Sequence, residues 1–179
     1  MPATVLIRRL TGAGPTATDI TSINTRANAE DAHTTAGTTN SILVPVAGTN
    51  YSYWVVTRLD VTAIVAGTVD NVKWFTDGAN NFGTGVTCSA GTATGYTQAS
   101  GTAGTTGIQL TVGNFATFTL GNANAFTYVT GTPLNVAGTT SATGQFGDRV
   151  VYQIEVGTTA ASGATATETF TWRYDDTST

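Results

Sequence analysis

Threonine occupies 40 of the 179 positions of this chain, more than any other residue. Its Cβ carries two heavy atoms, so few rotamers are open to it, and it packs well on the pleated surface of a strand. Only 10% of the residues are charged, against about 25% in ordinary soluble domains. The chain is therefore predicted to be an all-β structural protein, with a surface of hydroxyl and methyl groups that lies against another surface.

Short strands separated by turns are predicted along most of the chain. Residues 51–65 alternate, with the odd-numbered positions facing inward and Trp54 on the opposite face, where it packs under a loop. Residues 150–156 and 170–174 alternate in the same way, so Trp172 is predicted to face the core. Further strands are predicted at residues 5–10, 42–46, 69–76, 108–112, 115–120 and 126–129, with two short strands and a mobile rim within 83–107. About ten short strands without a long helix predict an antiparallel two-sheet β-sandwich, jelly-roll or immunoglobulin-like.

Residues 11–40 form a polar segment with almost no apolar periodicity, and Ile20 and Ile23 are its only large aliphatic residues. An excursion of about thirty residues is longer than most loops of a compact domain and usually has a purpose. We interpret it as an extended arm that becomes ordered on neighbouring chains, with a flexible loop as the alternative. The chain then divides into an N-terminal strand and arm, residues 1–40, and a β-sandwich domain, residues 41–179.

The charge balance argues against nucleic acid as a partner. The net charge is −4, and the seven Lys and Arg residues include only one adjacent pair, Arg8 and Arg9, too few for a phosphate-binding surface. No stretch approaches the roughly 20 apolar residues of a membrane span, and the N-terminus lacks a signal-peptide pattern. Cys88 is the only cysteine, so no internal disulfide forms, which fits folding in a reducing cytoplasm.

Residues able to carry catalysis are few. His33 is the only histidine and adjoins no nucleophile motif, and His33 with Cys88 cannot complete a zinc shell. Paired carboxylates would suit a glycosidase, although solvent-facing or strand-end charge is the simpler interpretation. The carboxylates considered are Asp60, Asp70, Asp77, Glu155, Glu168, Asp175 and Asp176. We predict that the chain is not an enzyme and has no catalytic, cofactor-binding or metal-binding residues.

Two binding alternatives stay open at this point. The turn-rich connection at residues 77–83, predicted to link a hairpin, offers Asp77 and Asn80 as calcium ligands, although plain turn chemistry explains the same residues. A sugar-binding face would need aromatic rings exposed together, and core packing is the simpler interpretation of these rings. The candidate rings are Trp54, Trp74, Tyr96 and Tyr128.

Four stretches of the sequence carry a family resemblance when taken together. They are residues 50–54 (NYSYW), 72–78 (VKWFTDG), 83–86 (GTGV) and 168–175 (ETFTWRYD). The combination resembles small β-rich virion proteins of tailed bacteriophages, especially head decoration (cement) proteins, over most of residues 41–176. The resemblance implies a protein made in the host cytoplasm that sits on the outer capsid surface, commonly as a trimer, and stabilises the shell by adding contact area.

The leading hypothesis is therefore a non-enzymatic structural virion protein, most similar to a capsid decoration protein. Its expected partners are the major capsid protein and neighbouring copies of itself, with a homotrimer favoured, and neither nucleic acid nor a membrane. One alternative is a carbohydrate- or receptor-binding β-sandwich of a phage fibre. Another is a surface filament subunit that donates a strand from residues 1–40 to its neighbour.

Overall fold

The computed structural model describes residues 1–122 and 124–177, which form antiparallel strands and a single 3₁₀ turn at Ala125–Thr127. Within these ranges no helix has the length and apolar character needed to cross a bilayer. The predicted all-β class is confirmed. The strands are β1 (Thr4–Thr11), β2 (Thr16–Asp19), β3 (Thr49–Tyr51), β4 (Val55–Ala63), β5 (Val69–Phe75), β6 (Val86–Ala93), β7 (Gly101–Thr102), β8 (Thr106–Gly107), β9 (Phe118–Asn122), β10 (Leu134–Asn135), β11 (Gly144–Gly157) and β12 (Thr171–Asp176).

The strands form two main sheets, as the sandwich-like prediction requires. The larger sheet has the order β2-β1-β4-β11-β6-β9, and β3 pairs with the end of β11 beyond β4. The smaller sheet has the order β10-β5-β12, and β7 and β8 form a separate short hairpin. The strand β11 is central to the larger sheet, because β4 and β3 pair along one side of it and β6 along the other.

An apolar core lies between the two sheets, and we call it the inter-sheet core. Trp74 of the smaller sheet is completely buried in it. The strand β11 contributes one alternating face, which confirms the inward positions predicted for residues 150–156. Phe170, Trp172 and Tyr174 pack against this core but stay partly exposed, because β12 is an edge strand of a three-stranded sheet. The larger sheet supplies Val55, Leu59, Val61, Val86, Cys88, Ala90, Val150, Tyr152, Ile154 and Val156.

The opposite face of the larger sheet is also buried, under loops, and we call it the loop-covered core. Trp54 lies in it, where its indole Nε1 donates a hydrogen bond to the Thr97 carbonyl oxygen at 3.0 Å. The Trp54 and Phe115 ring centroids are 5.5 Å apart. The predicted position of Trp54, on the second face and under a loop, is confirmed. This core contains Leu10, Ala29, Tyr53, Trp54, Val56, Ala93, Ala99, Leu110, Phe115, Phe118 and Val151.

The strand β6 is a central strand in a region predicted to be a mobile rim with two short strands. It runs for eight residues and pairs with β11 on one side and β9 on the other. Its small side chains allow close approach of the neighbouring backbone, since a Cβ at Gly91 would collide with the Thr119 oxygen and the Gly121 nitrogen. Small residues here therefore mark tight packing, and the rim interpretation is corrected for β6. The two short strands predicted in this range are present as β7 and β8.

Several predicted local structures differ from those observed. Residues 42–46 and 108–112 form no strand, and residues 126–129 begin within the 3₁₀ turn. Residues 77–83 do not close a hairpin, because β5 lies in the smaller sheet and β6 in the larger. The connection therefore crosses from one sheet to the other.

The polar segment at residues 11–40 packs against the larger sheet and does not form the expected extended arm. It begins with the turn into β2, which pairs with β1, and β1 in turn pairs with β4. Asn28 and Ala29 are buried, and the Asn28 carbonyl oxygen accepts a hydrogen bond from the Tyr53 nitrogen at 2.8 Å. Hydrogen bonds within the chain thus order this segment in place of the missing apolar residues.

Candidate functional site

Among the residues that the structure describes, the most deeply buried charge belongs to Arg9 of β1, whose side chain lies under the polar segment. Its Nη1 donates hydrogen bonds to the Thr25 Oγ1 at 2.6 Å and to the Arg26 carbonyl oxygen at 2.7 Å. Burial lowers the pKa of Arg9, and nearby acidic groups including Asp31 raise it in part, but a guanidinium stays protonated in a protein. Arg9 therefore holds residues 25–34 onto the sheet and is not open to a ligand.

His33 belongs to the same polar network. Its Nδ1 lies 3.2 Å from the Thr25 Oγ1, the hydroxyl that also accepts from Arg9. Burial lowers the pKa of His33, and the neighbouring Arg9 lowers it further. The imidazole is thus placed to support the fold of residues 25–34 in its neutral form.

The carboxylates considered as a catalytic pair are distributed among separate structural contacts. Asp60 forms an ion pair with the Arg8 Nε at 2.8 Å on the larger sheet. Glu168 accepts a hydrogen bond from the Asn81 backbone nitrogen. The Asp175 Oδ2 accepts one from the Asn71 Nδ2 of β5 at 2.8 Å. Across residues 1–122 and 124–177, no three His, Cys, Asp or Glu side chains are grouped to hold a metal ion.

The loop at residues 77–83 uses its side-chain oxygens for turn formation. The Asp77 Oδ1 accepts from the Ala79 nitrogen at 2.9 Å, and the Asn80 Oδ1 accepts from the Phe82 nitrogen at 3.1 Å. The Asn80 Nδ2 donates to the Val86 carbonyl oxygen at 2.9 Å. The two oxygens considered as calcium ligands therefore already accept backbone hydrogen bonds within the loop.

The aromatic rings considered for sugar stacking do not form an exposed platform. Trp54 and Trp74 are buried, in the loop-covered core and the inter-sheet core respectively. The Tyr96 hydroxyl donates to the Gly12 carbonyl oxygen at 2.8 Å, and the Tyr128 ring lies edge-on to Trp74 with centroids 6.3 Å apart. These four rings support the fold, so the sugar-binding interpretation built on them is corrected.

An exposed apolar surface lies where a strand was predicted, at Leu43, Val44, Pro45 and Val46, which we call the apolar loop. Leu43 is half exposed and Val46 is fully exposed. The Leu43 nitrogen donates to the Thr105 carbonyl oxygen at 3.1 Å, and the Leu43 oxygen accepts from the Asn50 Nδ2 at 2.8 Å. These two bonds anchor the loop, while Pro45, which has no N–H, is unsuited to a sheet ladder.

The apolar loop offers contact area and no reactive group. Burying an exposed Val or Leu side chain stabilises a complex by about 1.5–3 kcal/mol. The sequence pattern revealed the apolar run but predicted a sandwich strand there, although Pro45 was the signal against a central strand.

In comparisons with known proteins, no family model, no curated protein and no solved structure matches this chain.

Proposed function

We propose that this chain is a non-enzymatic structural virion protein that binds a phage capsid lattice as a decoration (cement) protein. The observation that carries the proposal is the apolar loop, where Leu43, Val44 and Val46 are exposed on a segment anchored to the body of the fold. A surface with few charges supports close, non-ionic contact with a neighbouring protein. The sequence resemblance to head decoration proteins supports the same role.

The partners in this proposal are the major capsid protein and other copies of the chain, with a homotrimer favoured. The net charge is only −4 over 179 residues, so repulsion between identical copies is weak. The location that follows is the outer capsid surface. Sedimentation of the purified chain over a range of concentrations tests the self-association, and a species that remains monomeric throughout argues against the trimer.

The alternative roles receive less support from the fold. A strand donor needs a strand that is free to leave its own sheet, whereas β1 is paired on both sides, with β2 and β4. A fibre lectin needs exposed aromatic rings, and Trp54 and Trp74 are both buried. Neither alternative is favoured by a specific observation.

The experiment is a binding assay on expanded heads assembled from the capsid protein encoded in the same genome. Val46→Ser is expected to weaken binding by about 10- to 100-fold, the equivalent of one buried valine. Val65→Ser is the matched control, since Val65 is also exposed but lies in the β4–β5 connection. The proposal fails if the chain does not bind heads and is not found in purified virions. If Val46→Ser and Val65→Ser bind heads equally well, the apolar loop is not part of the contact with the capsid.

A further inference from the structure

A surface cavity of about 250 Å³ opens on the larger sheet beside the loop-covered core. Ser89 of β6, Glu155 of β11 and Leu120 of β9 line it from three neighbouring strands. The loop at residues 109–112 completes the lining. The lining therefore combines three apolar residues, three uncharged polar residues and a single carboxylate.

Glu155 lies in this cavity without a cationic partner. It is half-buried, and across the residues that the structure describes no Lys, Arg or His forms an ion pair with it. Burial raises the pKa of Glu155, and a hydrogen bond with the Ser89 side chain lowers it in part. Tyr51, its cross-strand partner in β3, adds no positive charge. A cation brought into the cavity would offset the partial desolvation of this carboxylate.

The volume of the cavity limits what it can hold. Pockets for drug-sized ligands measure about 300–1,000 Å³, and each liquid water molecule occupies about 30 Å³. A cavity of about 250 Å³ thus has room for one long side chain but not for an oligosaccharide. Val112 and Leu120 are exposed at its margin, where they offer apolar contacts to residues on either side of such a side chain.

We propose that this cavity binds a single Lys or Arg side chain of a protein partner, with its cationic group at Glu155 and its flanking residues on Val112 and Leu120. Arg is favoured, because its planar guanidinium is weakly hydrated and pairs with a carboxylate through two parallel hydrogen bonds. The net negative charge of the chain also attracts a basic partner. This site is separate from the apolar loop, and the proposal does not depend on the capsid role.

The test is an NMR titration of the full ¹⁵N-labelled chain with the peptide acetyl-Thr-Val-Arg-Val-Thr-amide. The matched peptide carries citrulline, which keeps the shape of arginine but has no charge. The arginine peptide is expected to shift the amide signals of residues 110–112, 120 and 155. The citrulline peptide is expected to bind at least about tenfold more weakly, since it lacks the charge-assisted hydrogen bonds. Butylguanidinium alone is expected to bind more weakly than the arginine peptide.

Two glutamate variants test whether the Glu155 carboxylate supplies the negative charge that binds the arginine peptide. Glu155→Gln is expected to bind both peptides equally weakly, whereas Glu168→Gln, a partly buried glutamate outside the cavity, keeps the preference for arginine. The proposal is overturned if the wild-type chain binds both peptides equally or shows no shifts in the cavity. It is also overturned if butylguanidinium binds as tightly as the peptide, because the site would then take a small cation. If Glu155→Gln does not fold, the comparison of the two peptides on the wild-type chain still decides whether the cavity prefers a positively charged side chain.

Discussion

The Gln153 Oε1 accepts a hydrogen bond from the Leu110 backbone nitrogen at 2.6 Å inside the loop-covered side of the larger sheet. The Gln153 Nε2 donates to the Ser52 carbonyl oxygen at 2.7 Å and to the Ile108 carbonyl oxygen at 2.8 Å. This completely buried side chain therefore pairs both of its polar atoms with backbone groups that have left the sheet ladder. It explains how residues 108–112 are held in place without forming a strand.

Replacing Gln153 with leucine is expected to destabilise the chain by about 3 kcal/mol or more. Two buried backbone groups and one partly buried group would lose a hydrogen-bond partner, and each unsatisfied buried group costs about 1–3 kcal/mol. Urea unfolding measures the change. Gln145→Leu is the matched control, because Gln145 is exposed on the same strand, and it should stay within about 0.5 kcal/mol of wild type. Equal losses in the two variants would show that Gln153 does not hold the loops.

Sequence reasoning predicted the faces of β4 and β11 because period-two alternation survives wherever large apolar residues line a core. It could not separate a polar residue that faces water from one that pairs with the backbone of a distant loop. Gln153 and Arg9 are polar residues in alternating strands, where such residues are expected to face water, yet both are buried. The opposite error was made for the apolar loop, which was predicted to be a strand within residues 42–46. An apolar run does not reveal whether a neighbouring strand is available to pair with it.

Arg9→Met is expected to loosen the polar segment while the sheets stay folded. The Thr25 hydroxyl and the Arg26 carbonyl oxygen would lose their charged donor, which corresponds to at least about a tenfold rise in local amide exchange. The amide of Ala29, which donates to the Asn40 oxygen at 2.8 Å, is the reporter. Arg173→Met, at an exposed arginine of β12, serves as the control. Rapid exchange at Ala29 in the wild-type monomer would instead restore the extended-arm interpretation.

Trp74→Ala is expected to cost about 3–5 kcal/mol, the usual range for deleting a buried tryptophan ring. Trp172, its cross-strand partner, is only partly buried, so Trp172→Ala should cost clearly less than Trp74→Ala. The period-two pattern predicted that Trp172 faces the core, and a fully buried ring there would carry the same cost as that of Trp74. Urea unfolding of both variants decides between the two expectations, and an equal loss would mean that β12 is as well covered as β5.

Acidification is expected to weaken the fold through His33. Burial and Arg9 lower its pKa below the ordinary value of 6.5, so the folded chain binds fewer protons there than the unfolded chain. Stability from this group is present above about pH 6.5 and is lost as the pH falls through the lower, folded-state pKa. The ring is partly exposed, so solvent screening keeps the loss below about 1 kcal/mol.

The measurement for His33 is urea unfolding at about pH 7.5 and about pH 5.5, for wild type and His33→Gln. Glu155 acts in the opposite direction, because its raised pKa lets the folded chain gain a proton before the unfolded chain does. That contribution is present in both proteins and cancels in the comparison, so the difference between them isolates His33. Wild type should lose more stability than His33→Gln on acidification. Identical losses would mean that the imidazole is as free in the folded chain as in the unfolded one, and that the Thr25 contact does not favour its neutral form.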